Sequence, residues 1–261
     1  MRKPSKRSAP KKSADSPSFH RTTVGIHAVM EALRVHPTWA VELWLKEGFE
    51  SHPQAKELLA LAKKTSVRIQ NKTQKQLDSL GSGHQGVALH LRQSPQLLEK
   101  ALKQQKVVCL ALDQVTDPHN LGAILRSAWL FQAAAIYTPQ DRSVSLTPTV
   151  CKVAQGGAEH VPVAAVSPLD QELKRLKEEG FWVFGLSHKA DKTLFDLQLP
   201  EKVVWVLGAE GTGIRKPVER VCDELVSIPQ ASPAASFNVS VAAGLALAES
   251  YRQLFFSKAS K

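Results

Sequence analysis

The chain has 261 residues, 43% of them hydrophobic, a net charge of +10 and three cysteines. That is enough chain for one large domain or two modest ones, and no apolar run approaches the ~18 residues needed to cross a bilayer. Cys109, Cys151 and Cys222 lie far apart without CxxC spacing, and the nine histidines are scattered, so the pattern excludes a disulfide framework and a zinc site and predicts reduced thiols in a cytoplasmic protein with no metal.

The charge is unevenly placed. Residues 1–20 hold six basic side chains and one acid, and residues 21–91 hold nine and six. A polyanion is the natural partner for a positive front end, through phosphate neutralisation. "MRKPSKRSAPKKSADSPS" is rich in Lys, Arg, Ser and Pro and lacks large apolar groups, which predicts a disordered basic tail over 1–20. It has no apolar core, so it does not read as a secretory signal.

From "TVGIHAVMEALRVHP" the spacing is helical, with Ile26, Val29, Met30 and Leu33 on one stripe. "AVELWLKEG" reads as a strand, "HPQAKELLALAKKT" as a helix, and "VRIQ" and "GVALHL" as strands. These elements predict a compact α/β module over 21–92. "GSGHQG" (81–86) reads as a loop, and 93–106 as a polar linker with a short helix.

From Val107 to Lys261 strands and helices alternate. The strands are "VVCLALD", "AAAIYTP", "HVPVAAV", "FWVFGLS", "VVWVLG" and "ELVSIP", and the main helices fall at 121–132, 168–179, 215–222 and about 238–255. Continuous apolar strands separated by helices predict a mostly parallel sheet covered on both faces.

Three stretches carry candidate chemistry. In "DPHNLGAILRSA" a loop gives way to helical spacing, and Asn120 is a candidate N-cap. Gly122 and Ala123 stand one turn above Arg126, so either the helix packs tightly there or Arg126 points into a site. His119 reads as a solvent-facing loop residue. In "VVWVLGAEGTGI" a buried strand runs into a glycine loop whose one acid is Glu210. Ile214 stands where a P-loop needs Lys, and the glycine spacing breaks the dinucleotide fingerprint. In "ELVSIPQASPAASFNVSVAAGLALAES" Ser236 and Asn238 both stand where a cap is needed. The helix that follows is crowded with small residues, which suits a core or a subunit contact.

Together, "DQVTDPHNLGAILRSA", "VLGAEGTGI…CDELVSIP" and "SFNVSVAAGLALAE" resemble, in order and spacing, the three motifs of the SpoU/TrmH-type RNA 2′-O-methyltransferases of the SPOUT superfamily. The start "VGIHAVMEAL" and "GHQGVAL" resemble the amino-terminal domain of the subgroup that modifies a guanosine ribose of large-subunit (23S) ribosomal RNA. The resemblance implies an α/β domain with a parallel sheet and a deep trefoil knot, preceded by a small α/β domain similar to ribosomal-protein-like RNA binders. It also implies S-adenosylmethionine as methyl donor, ribosomal RNA or an assembly intermediate as substrate, and a homodimer that completes the site.

Carried over residue by residue, the resemblance puts the cofactor on Gly208, Ile228, Ser236 and Phe237, with Leu186 and Ser187 lining the same slot. It puts catalysis on Arg126, supported by Asn120, Glu210 and Asn238. Phe237 stands where relatives commonly carry Leu, and Gln230 where Met is common. Arg126 is open to two roles, base or positioner, and Glu210 to catalysis or structure. Transfer RNA methylation and an inactive RNA-binding scaffold are the competing functions.

Overall fold

The computed structural model describes residues 19–232 and 235–256. The expectation for the 1–20 tail falls, apart from Phe19 and His20, outside them.

The first unit is a four-stranded sheet. In chain order its elements are β1 (Arg21–Val24), α1 (Ile26–Val35), β2 (Ala40–Lys46), α2 (Ala55–Lys63), β3 (Arg68–Lys72), α3 (Gln74–Asp78) and β4 (Val87–Leu91). The strand order is β1-β4-β2-β3. β4 lies antiparallel to both of its neighbours, and β2 runs parallel to β3 with α2 in the crossover. The Ile26, Val29, Met30 and Leu33 stripe is buried, packed against Leu43, Leu45, Leu89 and Leu91 of the sheet. β1 was not expected, because Arg21-Thr22-Thr23-Val24 is too short and polar to announce a strand. α3 also escaped, although Thr73 and Gln76 form a reciprocal capping box.

A short helix, α4 (Glu99–Leu102), joins this unit to the second. There the elements are β5 (Val107–Asp113), α5 (Pro118–Leu130), β6 (Ala135–Pro139), α6 (Pro148–Ala154), α7 (Gly157–His160), β7 (Val163–Val166) and α8 (Leu169–Glu178). They continue with β8 (Trp182–Leu186), β9 (Lys202–Gly208), α9 (Lys216–Glu219), β10 (Glu224–Val226) and α10 (Val239–Leu254). The strand order is β10-β8-β9-β5-β6-β7, and every pair in it is parallel. The reason lies in the residues: β5 is buried at all seven positions and β9 at its five central ones, as strands covered on both faces must be. One face packs against α5, α6 and α10, and Trp205 of β9 donates its Nε1 to Ser250 Oγ of α10 at 2.8 Å. The other face packs against α8 and α9.

Two local expectations give way. The N-cap of α5 is Asp117, whose carboxylate accepts from His119 N at 2.9 Å, with Pro118 at the first helical position. Asn120 is therefore inside the first turn with its side chain free for other work, and exposed His119 is helical. The expected helix 215–222 shortens to four residues. α6 and α7, by contrast, had no counterpart in the sequence reading, because two brief helices broken by Gln155 and Gly156, both at positive φ, leave no sustained periodicity.

Gly122 answers the question of tight packing. A Cβ there would lie 2.6 Å from Val153 Cβ and 2.9 Å from Val150 O of α6. The glycine lets two helices approach; it does not clear a path to Arg126.

Candidate functional site

In a parallel sheet all strands end on the same edge, and loops leaving that edge are free to converge where the strand order reverses. Here β5 starts a run to one side through β6 and β7, while β8, β9 and β10 occupy the other. Beside that reversal, over the ends of β8, β9 and β10, opens a cavity of about 450 Å³, within the usual range for a small-ligand site. Its floor is Leu186 at the end of β8, Leu207 and Gly208 at the end of β9, and Val226 and Ile228 at and beyond the end of β10.

The loop after β9 forms one wall. Gly213 N donates to Ala209 O at 2.9 Å, and Gly211 and Gly213 both adopt positive φ. The loop folds so closely over Gly208 that a Cβ on that residue would fall 2.0 Å from Gly213 C and 2.3 Å from Ile214 N. Gly208 lines the cavity, but its lack of a side chain is demanded first by the loop itself. The loop is pinned at its far end by Asp113, fully buried at the end of β5. Its carboxylate takes Arg215 N and Nε at 2.8 Å each and the NH2 nitrogen at 2.6 Å. These hydrogen bonds hold the Arg215 guanidinium above its usual range. Sequence reasoning missed this pair; the one signal was a carboxylate closing an otherwise apolar strand.

Ile228, Gln230, Ser236 and Phe237 form the facing wall. The loop after β8 runs beside it: Ser187 N donates to Val226 O at 2.9 Å, and Leu194 N to Ser227 O at 2.8 Å. His188, Lys189 and Lys216 also line the cavity, together with the carboxylates Glu210 and Glu219.

Asn120, Glu210 and Asn238, which are 118 positions apart at the extremes, meet at the edge of this cavity. Asn238 Nδ2 donates to Glu210 Oε1 at 2.7 Å and to Asn120 Oδ1 at 3.0 Å, and Asn120 Nδ2 donates to Glu210 Oε1 at 3.2 Å. Asn238 also caps α10, accepting from Ser240 N at 2.9 Å. Glu210 belongs to the cavity lining. Arg126 does not join them. It lies less than two turns further along α5, ~9 Å by helical rise, exposed and without an ion pair among the described residues. Gly208, Ile228, Ser236, Phe237, Leu186 and Ser187 are all on the cavity.

The sequence profile of the SpoU rRNA methylase family matches residues 107–248, more than half of the chain. The chain belongs to the SpoU rRNA methylase family. A second profile, RNA 2′-O ribose methyltransferase substrate binding, matches residues 23–97. Among relatives of this SpoU chain, the 23S rRNA (guanosine-2′-O-)-methyltransferase RlmB of Pseudomonas aeruginosa is 42% identical over 236 residues, 88% of this chain and 95% of that protein. The protein of the same name from Pseudomonas putida is 40% identical over the same shares. Among solved structures, the SpoU methyltransferase AviRb from Streptomyces viridochromogenes, in complex with AdoMet, superposes with a TM-score of 0.76. It covers 89% of each chain at 22% identity.

Proposed function

We propose that this SpoU-family chain transfers a methyl group from S-adenosylmethionine to the ribose 2′-oxygen of a guanosine in large-subunit (23S) ribosomal RNA. The observation that carries the reading is the cavity at the carboxyl edge of the parallel sheet with the Asn120–Glu210–Asn238 cluster at its rim. Its chemistry fits the cofactor: an apolar slot from Leu186, Val226, Ile228 and Phe237, with backbone of the glycine loop alongside, suits an adenine and its edge. Gly208, Ile228, Ser236 and Phe237 are the residues that would hold it.

The cofactor supplies a methyl group already activated as a sulfonium. What the protein must add is alignment and the handling of one alcohol proton. Both amide donors to Glu210 use Oε1, which leaves Oε2 to receive the hydroxyl proton or orient the ribose. Arg126 is a poor base, since a guanidinium keeps its proton in proteins. Its role is to grip the neighbouring phosphate and steady the developing alkoxide.

Arg126 is set apart from its own chain's cluster, and this favours a homodimer in which Arg126 of the partner subunit completes the site. Val241 of α10 and Leu130 of α5 are exposed apolar side chains on the two helices that such a contact would use. A trefoil knot in the second unit is part of the same proposal, implied by the family resemblance. The first unit would bind the RNA, in a cytoplasmic setting where ribosomal RNA or an assembly particle is available. No helix among the described residues is long and apolar enough to cross a membrane.

The test is methylation of 23S and transfer RNA transcripts with methyl-labelled S-adenosylmethionine, followed by mapping of the ribose. Label at one 23S guanosine is expected. Label confined to transfer RNA would reassign the substrate, and no label together with no cofactor affinity would leave an RNA-binding scaffold.

A further inference from the structure

We propose that the four-stranded unit is docked on the six-stranded unit through a buried polar interface, and that Arg21 and Glu159 are positioning residues that fix bound RNA relative to Arg126. The inference rests on the reading above that the first unit binds RNA and the second methylates it.

Arg21 opens β1 and Glu159 lies on α7. The guanidinium meets the carboxylate with both nitrogens, NH1 to Oε1 at 2.7 Å and NH2 to Oε2, and the two side chains are 2% and 1% exposed. Burial works against the Arg21 cation, but the hydrogen bonds and charge of Glu159 outweigh it and hold the group above its usual range. Pairs this dry give little net stability, yet removing one partner strands a buried charge. They specify an arrangement more than they strengthen it.

The surroundings point the same way. His36, at the end of α1 and stacked on Trp39, bonds through Nε2 to Glu159 O at 2.9 Å. His160 reaches Glu31 of α1 at 2.8 Å while stacked on Trp129 of α5. The glycine-rich loop 81–86, which the catalytic reading leaves without a task, is a seat for α6. A Cβ on Gly83 would fall 1.8 Å from Lys152 Nζ, and Gln85 Oε1 in the same loop receives Ile26 N at 3.1 Å.

The contact continues to the reactive arginine. Gly157, two residues before Glu159, presses on α5 so closely that a Cβ would lie 2.6 Å from Leu125 O and 3.0 Å from Arg126 Cα. From β1 to the backbone of Arg126 the path is one ion pair and one turn of helix. RNA held by the first unit is thereby presented at a set distance and angle.

The full-length chain with Glu159→Gln tests this, alongside His36→Ala, which leaves the ion pair intact. A 23S fragment supplies kcat and KM, calorimetry supplies S-adenosylmethionine affinity, filter binding supplies RNA affinity, and small-angle scattering supplies the spacing of the two units. The expectation for E159Q is a wider spacing, unchanged cofactor and RNA affinity, and a kcat lower by about tenfold to a hundredfold, the usual cost of misalignment. H36A should move the same readouts in the same direction by less. A folded E159Q with wild-type kcat would overturn the proposal, as would a loss expressed through cofactor affinity. Should E159Q not fold, an unchanged kcat in H36A overturns it. Absence of methylation by the unaltered protein would instead count against the functional reading.

Discussion

Asn238 holds Glu210 at 2.7 Å through its amide nitrogen while its oxygen caps the first turn of α10. One side chain thus ties the candidate chemistry to the start of the longest helix, and its two tasks can be separated. Asn238→Asp keeps a cap acceptor but sets a carboxylate against Glu210, whereas Asn238→Ala loses both. Chemical denaturation should show Asn238→Ala less stable by about 1 kcal/mol, the usual worth of a cap, with Asn238→Asp near wild type. Single-turnover methylation should fall in both, by about a hundredfold where a site's electrostatic partner is removed.

Gly208 offers a second separation. Its Cβ would collide with the Gly213 backbone, which cannot swing aside as a flexible side chain would. Gly208→Ala should open the loop at 209–214 and abolish calorimetric binding of S-adenosylmethionine while β9 keeps its place in the sheet. Amide exchange across residues 202–207 checks the second half of that statement.

Arg126→Lys retains charge but loses the planar fork, and should lose most turnover with cofactor affinity intact. If the partner's Arg126 completes the site, mixing Arg126→Ala with Asn238→Ala subunits creates some sites with every group present. Activity should then reappear in the mixture although each variant alone is nearly inactive; a mixture as inactive as its parts would show that the site is built within one chain.

The sequence made the second unit readable because its signals are local. β5 matches its expected span to the residue, since seven consecutive apolar or end positions admit one interpretation. The cavity residues were legible only through their resemblance to known motifs: nothing in the spacing of Asn120, Glu210 and Asn238 announces that they touch. The Asp113–Arg215 and Arg21–Glu159 pairs were illegible for the same reason, being matches between segments 102 and 138 positions apart. Asn120 was misread as a cap because Asp117 and Pro118 satisfy the same rule three residues earlier.

His36 gives the docked interface a pH dependence. Burial is the main cause holding its pKa below the usual value of about 6.5, partly opposed by the Glu159 backbone bond and the Glu159 carboxylate charge, with Arg21 and His160 also disfavouring the charge. The stacked Trp39 ring is uncharged. The exposed form of His36 therefore takes up its proton first, so its contribution is present above about pH 6.5 and is lost as pH falls through the window below it. The protection factors of the α1 amides, which correct for the intrinsic pH dependence of exchange, should fall as pH drops from about 7.5 to about 5.5, and His36→Gln should flatten that change.

The place of β9 in the sheet governs how the protein can be made. β5 needs β9 as its neighbour, yet about ninety residues separate them. A growing chain leaves the flank of β5 uncovered until Gly208 has cleared the exit tunnel, and closure over so long a span is slow. During that interval the nascent molecule carries a bare apolar strand, the kind of edge that recruits chaperones or pairs with the wrong neighbour.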